Sequence, residues 1–144
     1  MTIYTIGFTK TTAESFFDRL KDAGVRKLVD IRLNNSSQLA GFAKKADLEY
    51  FLRVLCGIPY EYRPELAPTK EILEEYRKTR KDWSVYEERF LSLVRERRIE
   101  ETVPRDALDG ACLLCSEDKP DRCHRRLVAE YLRERWGDVE IVHL

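Results

Sequence analysis

Short β-type runs alternate with helical stretches along this chain, and that alternation constrains its fold more than any other feature. Leu28, Val29 and Ile31 form one apolar run, broken only by Asp30, and Ala111 to Cys115 form another. Strands that read apolar on both sides are buried on both faces, as in a parallel sheet covered by helices. Ile3 to Ile6, Ile58 to Tyr62 and Val139 to Leu144 complete the set of strand candidates. Between them apolar residues recur at helical spacing, from Ala13, Phe16, Phe17 and Leu20 to Leu127, Val128, Tyr131 and Leu132. Thr11-Thr12-Ala13-Glu14 reads as a capping box, Asp47 and Thr69 read as N-caps, and Gly24, Gly57 and Gly137 read as stops. Asn34 to Gln38 reads as a polar loop and Pro104 to Gly110 as a connector. Strand–helix alternation implies right-handed crossovers. The expected fold is therefore α/β: a single three-layer domain over residues 1–144, with a mostly parallel sheet of about five strands and helices on both faces.

Composition narrows the partners. The 144 residues carry 26 Lys and Arg against 26 Asp and Glu, a formal net charge of zero. Proteins that bind nucleic acid through bulk charge are markedly basic, so that mode is not expected, although a local basic pocket is compatible with the balance. Charged residues make up 36%, while Met1 is the only methionine and Asn34, Asn35 and Gln38 are the only side-chain amides. That pattern fits either an ordinary charged surface or a thermophile protein. No apolar run approaches the ~20 residues of a membrane helix. The first residues, Met-Thr-Ile-Tyr-Thr-Ile-Gly, lack the basic-then-apolar pattern of a signal peptide. A cytoplasmic protein is expected, with its four cysteines as reduced thiols or ligands.

In a parallel α/β fold, ligands bind beyond the carboxyl ends of the strands. Gly7 follows the first strand, Asp30 and Arg32 end the second, and Tyr60 and Tyr62 lie on the third. Cys115, Glu117 and the run Asp118 to Arg126 follow the fourth. Asp30 and Arg32 leave one face of a strand. They form either an ion pair closing the strand or an anion grip in which Asp30 orients Arg32. Cys112 and Cys115 are three apart on a strand, hence on opposite faces, and do not form a Cys-x-x-Cys site. Cys112 and Cys56 read as core residues. Cys123 stands at the start of the last helix beside Arg122 and Arg125, where a thiol is expected to have a lowered pKa and where anions bind. His124 adds a group that titrates near neutrality. The strand–loop–helix layout is like that of rhodanese-like sulfurtransferases and cysteine phosphatases, by layout only: the residue six after Cys115 is Asp121, not an arginine.

Three readings of this constellation stand side by side. In the first, an enzyme uses Cys123 or Cys115 as nucleophile and His124, Asp30 or Glu117 as acid–base group, with Arg32, Arg125, Gly7 and Tyr60 binding a small anionic, phosphate- or nucleotide-like substrate. In the second, the same pocket belongs to a non-catalytic binding module for an anion, a nucleotide or nucleic acid. In the third, Cys115, Cys123 and His124, with Glu117, hold a structural metal, although the spacing is not a standard zinc pattern and adjacent Cys123 and His124 make awkward joint ligands. No metal is assigned, and the residues identify no cofactor and no oligomeric state. His143 reads as an edge histidine, Arg77 to Lys81 as a solvated helix end, and Trp83, Tyr86 and Phe90 as core.

Thr5-Ile6-Gly7-Phe8, Leu28-Val29-Asp30-Ile31-Arg32, Tyr62 to Leu66, and Cys112-Leu-Leu-Cys115-Ser-Glu117 followed by Cys123-His124-Arg125 together resemble the domain of unknown function 488 family. The resemblance runs from Thr2 to Leu144 and rests above all on the Cys-x-Glu-x5-Cys-His-Arg run. Many members carry a proline soon after the Asp-x-Arg motif. Asn34 and Asn35 take that place here, which implies a different loop conformation. The resemblance implies a small prokaryotic α/β protein and points to the same strand-end residues. It supplies no substrate.

Overall fold

The computed structural model describes residues 1–36, 41–79 and 82–144. Ser37 and Gln38 of the expected loop, and Arg80 and Lys81 of the basic run, lie outside the described residues. Among the described residues five strands form one sheet: β1 (Thr2–Gly7), β2 (Lys27–Asp30), β3 (Tyr60–Tyr62), β4 (Ala111–Cys115) and β5 (Glu140–His143). Their spatial order is β3-β2-β4-β1-β5, and every pairing is parallel. The helices are α1 (Ala13–Ala23), α2 (Lys45–Phe51), α3 (Lys70–Lys78), α4 (Trp83–Arg97), α5 (Ile99–Thr102), α6 (Arg105–Leu108) and α7 (His124–Trp136).

The sheet separates two apolar layers. On one face Phe16, Phe17 and Leu20 of α1 and Leu48 of α2 pack with Ile6, Leu28, Cys112 and Leu114. On the other, Tyr86, Phe90 and Val94 of α4 and Leu127, Val128 and Leu132 of α7 pack with Ile3, Val29, Ala111 and Leu113. Side chains alternate between faces along a strand, so Cys112 and Cys115 point apart, as the spacing predicts. All five residues of β4 are buried because it is the central strand.

Local signals explain most of the ends. Thr12 caps α1 by accepting from the Ser15 N–H at 3.1 Å, one residue later than a Thr11 capping box predicts. Gly24 closes α1 in the left-handed region at φ 71°. Thr69 caps α3 through the Ile72 N–H. Asp47 is not a cap: α2 starts at Lys45, which leaves Asp47 in the first turn, where its charge suits the helix dipole. After Phe51 the chain continues as a π-helical turn over Leu52–Cys56 and stops at Gly57. The connector from Pro104 contains a helical turn, α6, rather than extended chain.

Candidate functional site

β2, β4 and β1 are neighbours, so their carboxyl ends lie side by side, with Gly7 opposite Cys115 and Asp30 opposite Leu114. A cavity of about 360 Å³ opens there, and Arg32, Cys115, Glu117, Cys123 and His124 all line it. The parallel sheet thus brings together residues from two strand ends and from the start of α7.

Cys115 ends the central strand with its Sγ 3.2 Å from Nδ1 of His124. The other ring nitrogen of His124, Nε2, lies 2.6 Å from the carbonyl oxygen of Ile31. A carbonyl only accepts, so Nε2 carries a hydrogen and Nδ1 faces the sulfur. Nδ1 then either accepts the Cys115 S–H or, once protonated, donates to its thiolate. Phe90 packs on the imidazole, with ring centroids 5.3 Å apart, and helps hold its plane.

Burial by itself pushes the Cys115 thiol up. The Cys123 S–H, the Arg125 guanidinium, the Ser116 N–H and the Arg32 guanidinium act against it and bring the thiol below its ordinary value. Cys123 behaves in the opposite way. Burial, then its hydrogen bond to Cys115 and the negative charge there, push it well above the ordinary thiol range. The sequence expectation placed the acidic thiol at Cys123, and the structure moves it to Cys115. A helix start favours a thiolate only if the sulfur keeps access to solvent or to cations. Here Cys123 is 3% exposed and Arg122 projects to the surface.

Asp30 and Arg32 form a buried bidentate pair. Arg32 Nε donates to Oδ1 at 2.8 Å and Nη2 to Oδ2 at 2.9 Å, with the two residues 0% and 2% exposed. The Arg32 backbone N–H and the Tyr60 hydroxyl also donate to that carboxylate. Asp30 therefore has its oxygens engaged, and Tyr60 braces it from outside the cavity lining. Arg32 Nη1, by contrast, is buried without a hydrogen-bond partner among the described residues.

Arg125 does not line the cavity. Its Nη1 donates to the Glu117 carbonyl at 2.5 Å and its Nη2 to the Asp118 carbonyl at 3.3 Å, clamping the loop after β4. Gly7 makes room for the same loop, since a Cβ there would lie 1.5 Å from the Glu117 oxygen. Glu117 itself is exposed at the cavity edge.

Helical spacing predicts core positions for Trp83 and Tyr86. Tyr86 is indeed buried, yet both also line the cavity with Tyr76, and the Trp83 and Tyr86 rings stack at 4.9 Å with a 20° tilt. Arg77 and Arg122 line it as well. Helical spacing gives the same signal for a core face and a cavity wall, so no sequence pattern marks these residues. His143, on the β5 edge, is paired with Thr5 Oγ1 at 2.6 Å.

The ligand atoms of Cys115, Cys123 and His124 all lie within 4.8 Å of one another. The adjacency of Cys123 and His124 is no obstacle. Cys123 is the extended N-cap residue, at φ −139° and ψ 139°, and His124 begins the helix, so both side chains reach Cys115.

The family model described as Domain of unknown function DUF488 matches residues 12–132. No curated protein and no solved structure matches the chain. Among the described residues no helix is long and apolar enough to cross a membrane.

Proposed function

The chain belongs to the DUF488 family, and from its strand-end site we propose that it is an enzyme in which Cys115 attacks a small anionic, phosphate- or nucleotide-like substrate with His124 as its acid–base partner. One observation carries this reading: the chain of contacts from Cys115 Sγ to His124 Nδ1, and from His124 Nε2 to the Ile31 carbonyl, at a cavity wall. A nucleophile, a base in contact with it and a third group that orients the base make up the arrangement needed for covalent catalysis. The thiolate forms a bond to the electrophilic atom of the substrate, and the leaving group departs with the proton held at His124 Nδ1. Glu117, exposed and in the cavity lining, is the group we assign to exchange that proton with solvent.

An anion fits the rest of the lining. Among the described residues the lining has three guanidinium groups, of Arg32, Arg77 and Arg122, and one carboxylate, of Glu117. Arg32 Nη1 has a hydrogen to give. Trp83 lines the cavity with one face stacked on Tyr86, which leaves its other face for the aromatic part of a nucleotide to stack on. Asp30, Tyr60, Gly7 and Arg125 act from behind as positioning residues.

Alkylation of the native protein, mapped cysteine by cysteine across pH, tests the nucleophile. Cys115 should label fastest, with its midpoint below the ~8.5 of a free thiol. Cys112, fully buried and with its thiol pushed up by burial, should stay unlabelled. Equal, slow labelling of Cys115 and Cys112 would end the proposal. The anion is tested separately through thermal stabilisation by inorganic phosphate and by adenosine monophosphate. Arg122→Ala removes an exposed cation, so the empty protein should melt within about 0.5 kcal/mol of the parent, while the stabilisation by either anion should fall. Retention of the full shift would remove Arg122 from the site.

The compactness of the Cys115, Cys123 and His124 ligand atoms supports a second reading, a metal held by two sulfurs and one nitrogen with an open position toward the cavity. The Ile31 carbonyl would then orient the ligating imidazole, as outer groups commonly do. The readings separate cleanly. One chelatable zinc per chain together with protection of Cys115 from alkylation favours the metal; a metal-free protein with a fast Cys115 favours the nucleophile.

A further inference from the structure

We infer that Cys115 and Cys123 are a peroxide-reactive thiol pair that closes into a reversible disulfide across the cavity. The inference rests on the reading of Cys115 as the nucleophilic thiolate, and it assigns to Cys123 a task that the reaction with an anionic substrate leaves vacant. Both sulfurs line the same cavity, and their ligand atoms fall within the 4.8 Å cluster. The two sulfurs therefore lie within 4.8 Å of each other, so a small side-chain movement joins them.

The intervening loop keeps them so. Phe8 N–H, Thr9 N–H and Thr9 Oγ1 all donate to the Ser116 carbonyl. Arg125 holds the carbonyls of Glu117 and Asp118, and Arg126 holds that of Asp121. Two groups fixed this closely react as if at very high local concentration. The remaining thiols are elsewhere: Cys112 is in the apolar layer on the opposite face of the sheet, and Cys56 sits beside α1 with its S–H toward the Phe17 carbonyl.

The chemistry needs a hydroperoxide as oxidant and balances in two steps. The Cys115 thiolate attacks the peroxide O–O bond, forming a sulfenic acid, and the departing alkoxide or hydroxide takes the proton from His124. Cys123 gives up its proton to the departing sulfenic oxygen. Its sulfur then attacks the Cys115 sulfenic sulfur, giving the disulfide and water. The peroxide has been reduced by two electrons supplied by the two thiols, and a dithiol returns them. In the disulfide form Cys115 is no longer a nucleophile, so oxidation switches the site off and shields Cys115 from over-oxidation.

The test treats the native, full-length protein with hydrogen peroxide near equimolar, blocks free thiols and maps the products. The expected result is a Cys115–Cys123 cross-linked peptide that dithiothreitol reverses, with Cys112 still reduced. In Cys123→Ser, Cys115 should instead be trapped as sulfenic acid by dimedone and proceed to sulfinic acid. If Cys115 of the parent protein passes to sulfinic acid while Cys123 stays free, the pair is refuted although Cys115 remains a reactive thiolate. If Cys115 neither oxidises nor alkylates faster than Cys112, the pair and the nucleophile reading both fail.

Discussion

Arg32→Ala is expected to cost roughly 3–5 kcal/mol of folding stability, the usual loss when one member of a buried ion pair is removed. Asp30 is 0% exposed and takes two of its hydrogen bonds from the Arg32 side chain and one from its backbone. Without the guanidinium the carboxylate stays buried with only Tyr60 and backbone N–H donors. A fall in Tm on the order of 10 °C follows for a chain of this size. Removing both charges, as in Asp30→Asn with Arg32→Leu, should recover part of the loss, because no bare charge is then left inside. A near-native Tm for Arg32→Ala would show that water reaches the pair, contrary to its burial. The same result makes Arg32→Ala a poor probe of anion binding, which is why exposed Arg122 is the residue to change for that purpose.

Gly7→Ala should be nearly as damaging, for a steric reason. The added Cβ would meet the Glu117 carbonyl oxygen at 1.5 Å and Arg125 Nη1 at 3.0 Å. Neither the strand nor a carbonyl held by a buried guanidinium can give way by that much, so the loop after β4 must leave its place. Overpacking of this kind costs about 1–3 kcal/mol, occasionally more. Its particular signature lies in the site: the loop that sets Cys123 and His124 against Cys115 is displaced, so Cys115 should lose its fast alkylation even where the fold survives. A Gly7→Ala protein with parent Tm and parent Cys115 reactivity would overturn the close approach.

The expected stability losses concern residues whose roles the sequence left open between binding and support. Asp-x-Arg at a strand end fits an anion grip and a buried ion pair equally well. Only the exposure of the two side chains, together with the partners of each oxygen and nitrogen, separates them. Arg125 is a similar case. Its place in the first turn of α7 suggested an anion ligand, but its side chain turns to the Glu117 and Asp118 carbonyls.

Much was nevertheless determined by sequence alone. The apolar run of Leu28, Val29 and Ile31, broken only by Asp30, and that of Ala111 to Cys115 required strands covered on both faces, and the helical stretches between them required parallel crossovers. Those two facts place Cys115, Asp30 and Gly7 at one end of a sheet before any coordinate is known. Strand parity separated Cys112 from Cys115 for the same reason, since side-chain direction along a strand is a local property. Tertiary structure decided the rest. Which thiol is acidic depends on desolvation and on charges arriving from other parts of the chain: Arg125 from α7 and Arg32 from just beyond β2. The partner of His124 Nε2 is a carbonyl far away in sequence, and the aromatic wall comes from α3 and α4. Local periodicity reports which face of an element is apolar. It carries no information about which neighbour that face meets, and the chemistry of this cavity is set entirely by those meetings.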